Sequence, residues 1–157
     1  MYSIFDSGSS TIQVPDPVFE SYVRQIFNEV GSDEYQISFG KVISKCFDNY
    51  PTLHFMFDKT WLTVDPSDYV VDASPEQDRS ICLVLVSRSD SPFLVMGLPL
   101  MTGYYTVHDD EASRLGFVPH VGSSKTGPFW GAVPKRGFGD AEAQKEFSDF
   151  QNEVNGD

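Results

Sequence analysis

Between residues 34 and 97 the chain is a series of short apolar or alternating runs: "EYQISFG", "KVISKCF", "TLHFMFD", "TWLTVDP", "DYVVDA", "SICLVLVS" and "SPFLVMG". Asp, Asn, Gly, Pro and Ser separate them. Runs of this length with such punctuation suit strands and are too short for packed helices. "FMFDKTWLTV" reads as a hairpin turning at Asp58-Lys59, and "YYTVHDDEASRLGFVP" as another turning at Asp110-Glu111-Ala112. One segment breaks the pattern. In "VPDPVFESYVRQIFNEVGSD", Phe19, Tyr22, Val23, Ile26, Phe27 and Val30 recur at helical spacing. Asp16 suits the N-cap, Pro17 the first helical position and Gly31 the C-cap. The aromatics of this helix read as core. One helix among many strands predicts an all-β class, mostly β with one or two short helices, and a sheet built from non-local pairs.

Length and composition set further bounds. A chain of 157 residues has room for one domain and one core. The 13 Phe and 7 Tyr favour a β-rich interior. A formal net charge of -12 argues against a nucleic-acid partner, which needs clustered Lys and Arg. No apolar run approaches the roughly 18 residues of a membrane helix, so no membrane partner is expected. The start "MYSIFDSGS" has neither a basic nor an apolar leader region, so no signal peptide is visible. Cys46 and Cys82 read as two buried thiols, one disulfide, or half a metal site. His54, His108 and His120 show no ligand spacing around them, which makes the metal reading poor, and no cofactor is expected.

Near the front, Ile4 and Phe5 run into Asp6-Ser7-Gly8-Ser9-Ser10. A strand thus delivers a lone carboxylate into a turn of small residues. Asp-Ser-Gly by itself is weak, because turns use these residues for backbone reasons.

The remaining motifs add to it in order. They are Pro15 before the helix, Cys46, "YPTLHFMF", "TWLTV", Pro66-Ser67-Asp68-Tyr69-Val70 and Cys82. Val95-Met96-Gly97, Tyr104-Tyr105-Thr106-Val107-His108-Asp109 and Leu115-Gly116-Phe117-Val118 follow. Together with Ile4-Phe5-Asp6-Ser7-Gly8-Ser9, this succession resembles the carboxy-terminal lobe of a pepsin-like aspartic protease across residues 2 to 119. The resemblance implies an incomplete pepsin-like lobe over 1–119, with 120–157 a Gly/Pro-rich linker and a short acidic helix capped at Asp140. It pairs Cys46 with Cys82, which implies an oxidising route, extracellular or lysosome/vacuole-like. It makes Asp6 one of two catalytic carboxylates that share a proton and activate a water against a polypeptide substrate. Ser7 would reach the opposite lobe, Ser9 would bond the outer oxygen of Asp6, Gly8 would keep the turn tight, and Gly97 would let a second strand pass beside it.

The sequence departs from that family in three places. Only five residues precede Asp6, and no other Asp begins a [Ser/Thr]-Gly turn. The chain as given is therefore expected to carry half a dyad, either as a piece of a longer protease or with a separately supplied second protease lobe or a second copy of itself as partner, the copy being the weaker reading. Leu98 stands where the family usually has Asp, which favours the alternative of a non-catalytic peptide-binding or interaction module. Residues beyond Pro119 exceed the pattern and are a candidate cover for a sheet edge.

Overall fold

Helix α1 (Asp16–Val30) forms where the apolar spacing predicts it, and it buries Phe19, Val23, Ile26, Phe27 and Val30 along one side. The structure, a computed structural model, describes residues 3–57, 60–122 and 129–130. Gly31 ends the helix at φ 80°, where a side chain would be strained, and its N–H donates to the Phe27 carbonyl. The start differs from expectation. Pro15 takes the cap position and Asp16 lies inside the first turn, with no side-chain cap bond. Pro15 is also the last residue of an extended strand, so the chain turns into the helix one residue early. The Asp16 carboxylate pairs instead with Arg88 Nη1 at 2.8 Å, Glu20 takes Nη2 at 2.8 Å, and the guanidinium lies 5.2 Å from the Phe19 ring centre.

The chain divides into two compact units. The first joins the front of the chain, through Pro51, with Asp65–Thr102. Its strands are β1 (Ser3–Phe5), β2 (Ile12–Pro15), β3 (Tyr35–Ser38), β4 (Lys41–Ser44), β7 (Val70–Asp72), β8 (Cys82–Ser89) and β9 (Leu94–Met96). Among the described residues they form one sheet in the order β1-β9-β2-β8-β4-β3, with β7 also on β8. β1 runs parallel to β9 and β2 parallel to β8, while β9–β2, β8–β4, β7–β8 and β4–β3 are antiparallel. Ile12, Val14, Val42, Val84 and Val86 are buried, as is the apolar side of α1, which packs on β2 and β8. Each such side chain contributes roughly 1.5–3 kcal/mol as an upper bound. Single helical turns α2 (Pro66–Tyr69) and α3 (Leu98–Met101) complete the unit.

Cys46 and Cys82 are bonded, with their Cα atoms 5.0 Å apart. The bridge ties the exit of β4 to the first residue of β8, next to the rung where Ser44 faces Cys82. Beside it, Phe27 stacks on Tyr35 at 4.3 Å and meets Phe47 and Tyr50 edge-on, and Tyr50 in turn meets Tyr69 edge-on. The Tyr69 hydroxyl is buried and donates to the Pro51 carbonyl at 2.6 Å.

The second unit contains β5 (Leu53–Phe57), β6 (Thr60–Val64), β10 (Tyr104–Asp109), β11 (Arg114–Pro119) and β12 (Phe129–Trp130). The hairpins expected from the sequence are there: Phe57 faces Thr60, and Asp109 faces Arg114 and is ion-paired to it. Turn residues 58–59 and the expected helix at Asp140 lie outside the described residues. β12 adds antiparallel to β6, Phe129 opposite Trp61 and Trp130 opposite Thr60. The Tyr104 hydroxyl accepts from the Thr63 backbone N–H at 2.9 Å.

Two predictions follow from this packing. Reducing the disulfide, or making Cys46→Ser with Cys82→Ser, is expected to cost about 3–4 kcal/mol for its 36-residue separation, read as a lower urea midpoint. Burial pushes the Tyr69 phenol above its ordinary value of 10.0. The unfolded chain therefore releases this proton first as pH rises. Stability is complete below about pH 10 and then falls by roughly 1.4 kcal/mol per pH unit for this group, a slope that Tyr69→Phe removes in alkaline denaturation curves.

Candidate active site

Asp6 is placed by backbone bonds from three directions. β1 ends at Phe5, opposite Met96 of β9, and the Asp6 N–H donates to the Met96 carbonyl at 3.0 Å. The Ser9 N–H closes the turn onto the Asp6 carbonyl at 3.1 Å. The Gly8 N–H donates to the Asp6 carboxylate at Oδ1, 2.9 Å away. A charge-assisted bond of this kind holds the carboxylate over the turn. Asp6, Ser7 and Gly8 are exposed, so the carboxylate faces solvent, while Ser9 is buried beneath them.

Two glycines shape the site. A β-carbon on Gly8 would sit 3.1 Å from Asp6 Oδ1, in the space the carboxylate uses. One on Gly97 would run into the Ser9 and Thr11 carbonyl oxygens, which are backbone atoms with no freedom to swing away. The chain beyond Gly97 is sewn to the turn, because the Leu98 N–H donates to the Ser9 carbonyl at 2.8 Å. The sequence-predicted Asp6, Ser7, Gly8, Ser9 and Gly97 are thus gathered in one place. Cys46 and Cys82 lie elsewhere in the unit as its disulfide. Their sulfurs and the Asp72 carboxylate fall within 4.8 Å of one another, but a disulfide sulfur is not the thiolate a metal needs.

The Ser9 side chain is engaged differently from expectation. Its hydroxyl donates to the Thr11 carbonyl at 3.1 Å and accepts from Gln13 Nε2 at 3.0 Å. The bond to the Asp6 carboxylate comes from Gly8. Thr11 shares a 2.7 Å hydroxyl contact with Ser87 of β8. Gln13, Thr11 and Ser87 thus belong to the support of the turn, and sequence reasoning missed them. The available signal was a lone Gln among the apolar residues of "TIQVP". Leu98, whose N–H is bonded to the Ser9 carbonyl, is 46% exposed at the start of α3 and adds an apolar side chain where the chain leaves the turn. A groove of about 740 Å³ lined by residues such as Asp33, Tyr35, Ile43, Lys45 and Ile81 includes no residue of the Asp6 turn.

The Asp-Ser-Gly-Ser turn at the end of β1 is thus braced by the backbone that follows β9, which must carry glycine at the crossing. The sequence matches the family Eukaryotic aspartyl protease over residues 1–120, and the chain belongs to that family. Gastricsin of Mus musculus is 25% identical over 126 residues, 75% of this chain and 29% of that protein. Plasmepsin IV of Plasmodium falciparum (isolate 3D7) is 28% identical over 117 residues, 73% of this chain and 25% of that protein. Pepsin B of Canis lupus familiaris is 28% identical over 115 residues, 73% of this chain and 28% of that protein. The chain therefore spans less than a third of the length of these relatives. Among the described residues no helix is long and apolar enough to cross a membrane.

Replacing Gly97 by Ala forces the backbone away from two carbonyls. It is expected to cost about 1–3 kcal/mol in chemical denaturation, and Gly8→Ala less, since only a side-chain oxygen must give way.

Proposed function

We propose that this chain is one lobe of an aspartic endopeptidase and that Asp6 is its contribution to a two-carboxylate centre. The observation that carries the reading is the solvent-facing Asp6 carboxylate, held at Oδ1 by the Gly8 N–H and braced through Met96, Gly97 and Leu98. The second carboxylate comes from another protease lobe, with a second copy of this chain the lesser choice. Brought together, two such groups cannot both ionise readily. They share one proton and titrate as a pair. The ionised member takes a proton from a water as its oxygen attacks the peptide carbonyl. The protonated member donates to the carbonyl oxygen. The C–N bond then breaks as a proton reaches the leaving nitrogen. In this scheme Gly8 and the Ser9 backbone orient the acid, and Ser7 reaches the facing lobe. Family membership and the disulfide support a route through an oxidising compartment, extracellular or lysosome/vacuole-like.

A second reading has its own observation. Leu98 presents an apolar side chain beside the turn, and this favours a peptide-binding module without hydrolysis. One experiment separates the two. The chain is assayed with a second Asp-[Ser/Thr]-Gly lobe on a denatured polypeptide at acidic pH, as wild type and as Asp6→Asn. The proposed role predicts a loss of about 10²–10⁴-fold in kcat/KM for the variant. Equal cleavage by both forms assigns the chemistry to another group. Peptide binding by both forms with cleavage by neither leaves the binding module.

A further inference from the structure

The β6 strand is a poor candidate for an exposed edge. Its sequence, Thr60-Trp61-Leu62-Thr63-Val64, contains no charge, no Pro and no Gly. Its register with β5 runs from Leu53–Val64 to Phe57–Thr60 without a bulge. Natural edge strands are protected by Lys, Pro, bulges or a covering segment, and an apolar strand of high β propensity without them pairs with other chains. A two-stranded hairpin is also marginal alone. Among the described residues, the one strand on the open side of β6 is β12, which lies outside the family match at residues 1–120.

We propose that the open edge of β6 is a strand-acceptor surface and that its occupant is this chain's own Phe129–Trp130 segment. The segment adds an antiparallel third strand and so withholds the edge from strands of other molecules. Main-chain hydrogen bonding supplies the recognition, as in strand addition generally. The partner that fits this surface is therefore an extended peptide, and the tethered one has the advantage of a high effective concentration. The inference stands independently of the role of Asp6.

Three measurements on the protein test it. In the full chain, Phe129→Pro removes the β12 backbone donor that faces Trp61 and leaves β6 untouched. Amide exchange at Trp61 is expected to rise about tenfold or more, with Thr60 and Leu53–Phe57 unchanged. A chain ending at residue 122 is expected to self-associate in analytical ultracentrifugation at concentrations where the full chain is monodisperse. A synthetic peptide of residues 126–133 should restore the monodisperse state, and the full chain should bind it at least about tenfold more weakly than the shortened one. Unchanged Trp61 exchange in the Phe129→Pro variant overturns the proposal. So does a shortened chain that stays monodisperse, or self-association that the peptide does not reverse.

Discussion

The backbone at Gly97 crosses the Asp6 turn so closely that there is no space for a β-carbon. This contact organises the front of the first unit. It places the Met96 carbonyl where it receives the Asp6 N–H, and the Leu98 N–H where it reaches the Ser9 carbonyl. Two segments some ninety residues apart in sequence are thereby fixed against each other by backbone atoms. Backbone contacts do not change rotamer, so the Asp6 carboxylate inherits a defined position although its side chain is exposed.

Behind the turn, the sheet and α1 supply the rigidity. β2 leaves the turn, pairs with both β8 and β9, and runs directly into α1 through Pro15. A displacement of the turn would therefore drag on the helix and on the buried Ile12 and Val14. Arg88 reinforces the same corner by bridging Asp16 and Glu20 from β8, although these pairs are largely exposed and individually contribute little. The far end is closed by other means, the Cys46–Cys82 bridge and the aromatic group around Phe27.

Much of the secondary structure was legible in the sequence because it rests on local periodicity. α1, both hairpins and the runs that became β3 to β9 were visible as spacing and punctuation. β2 was not, since four residues between a turn and a helix leave no period to read, and its partners are distant strands. Asp16 was misplaced at the cap because the residue that ends β2 also begins the helix turn, which only pairing with β8 reveals. At the site, Asp6, Gly8 and Gly97 were legible as motif residues. The engagement of Ser9 with Thr11 and Gln13 was not, because a hydroxyl has several partners within reach and only the folded backbone selects among them.

By itself, then, the sequence determined the β-rich class, the position of helix α1, and an acid delivered into a tight turn. These depend on side-chain period and on the φ preferences of Gly and Pro, which act over a few residues. Only the tertiary structure decided which strands are neighbours, that the two cysteines meet, that Gly97 lies against the Asp6 turn, and that β12 lies along β6. Each of those joins groups far apart in the chain, and such a choice follows from the packing of the whole fold, not from any local preference.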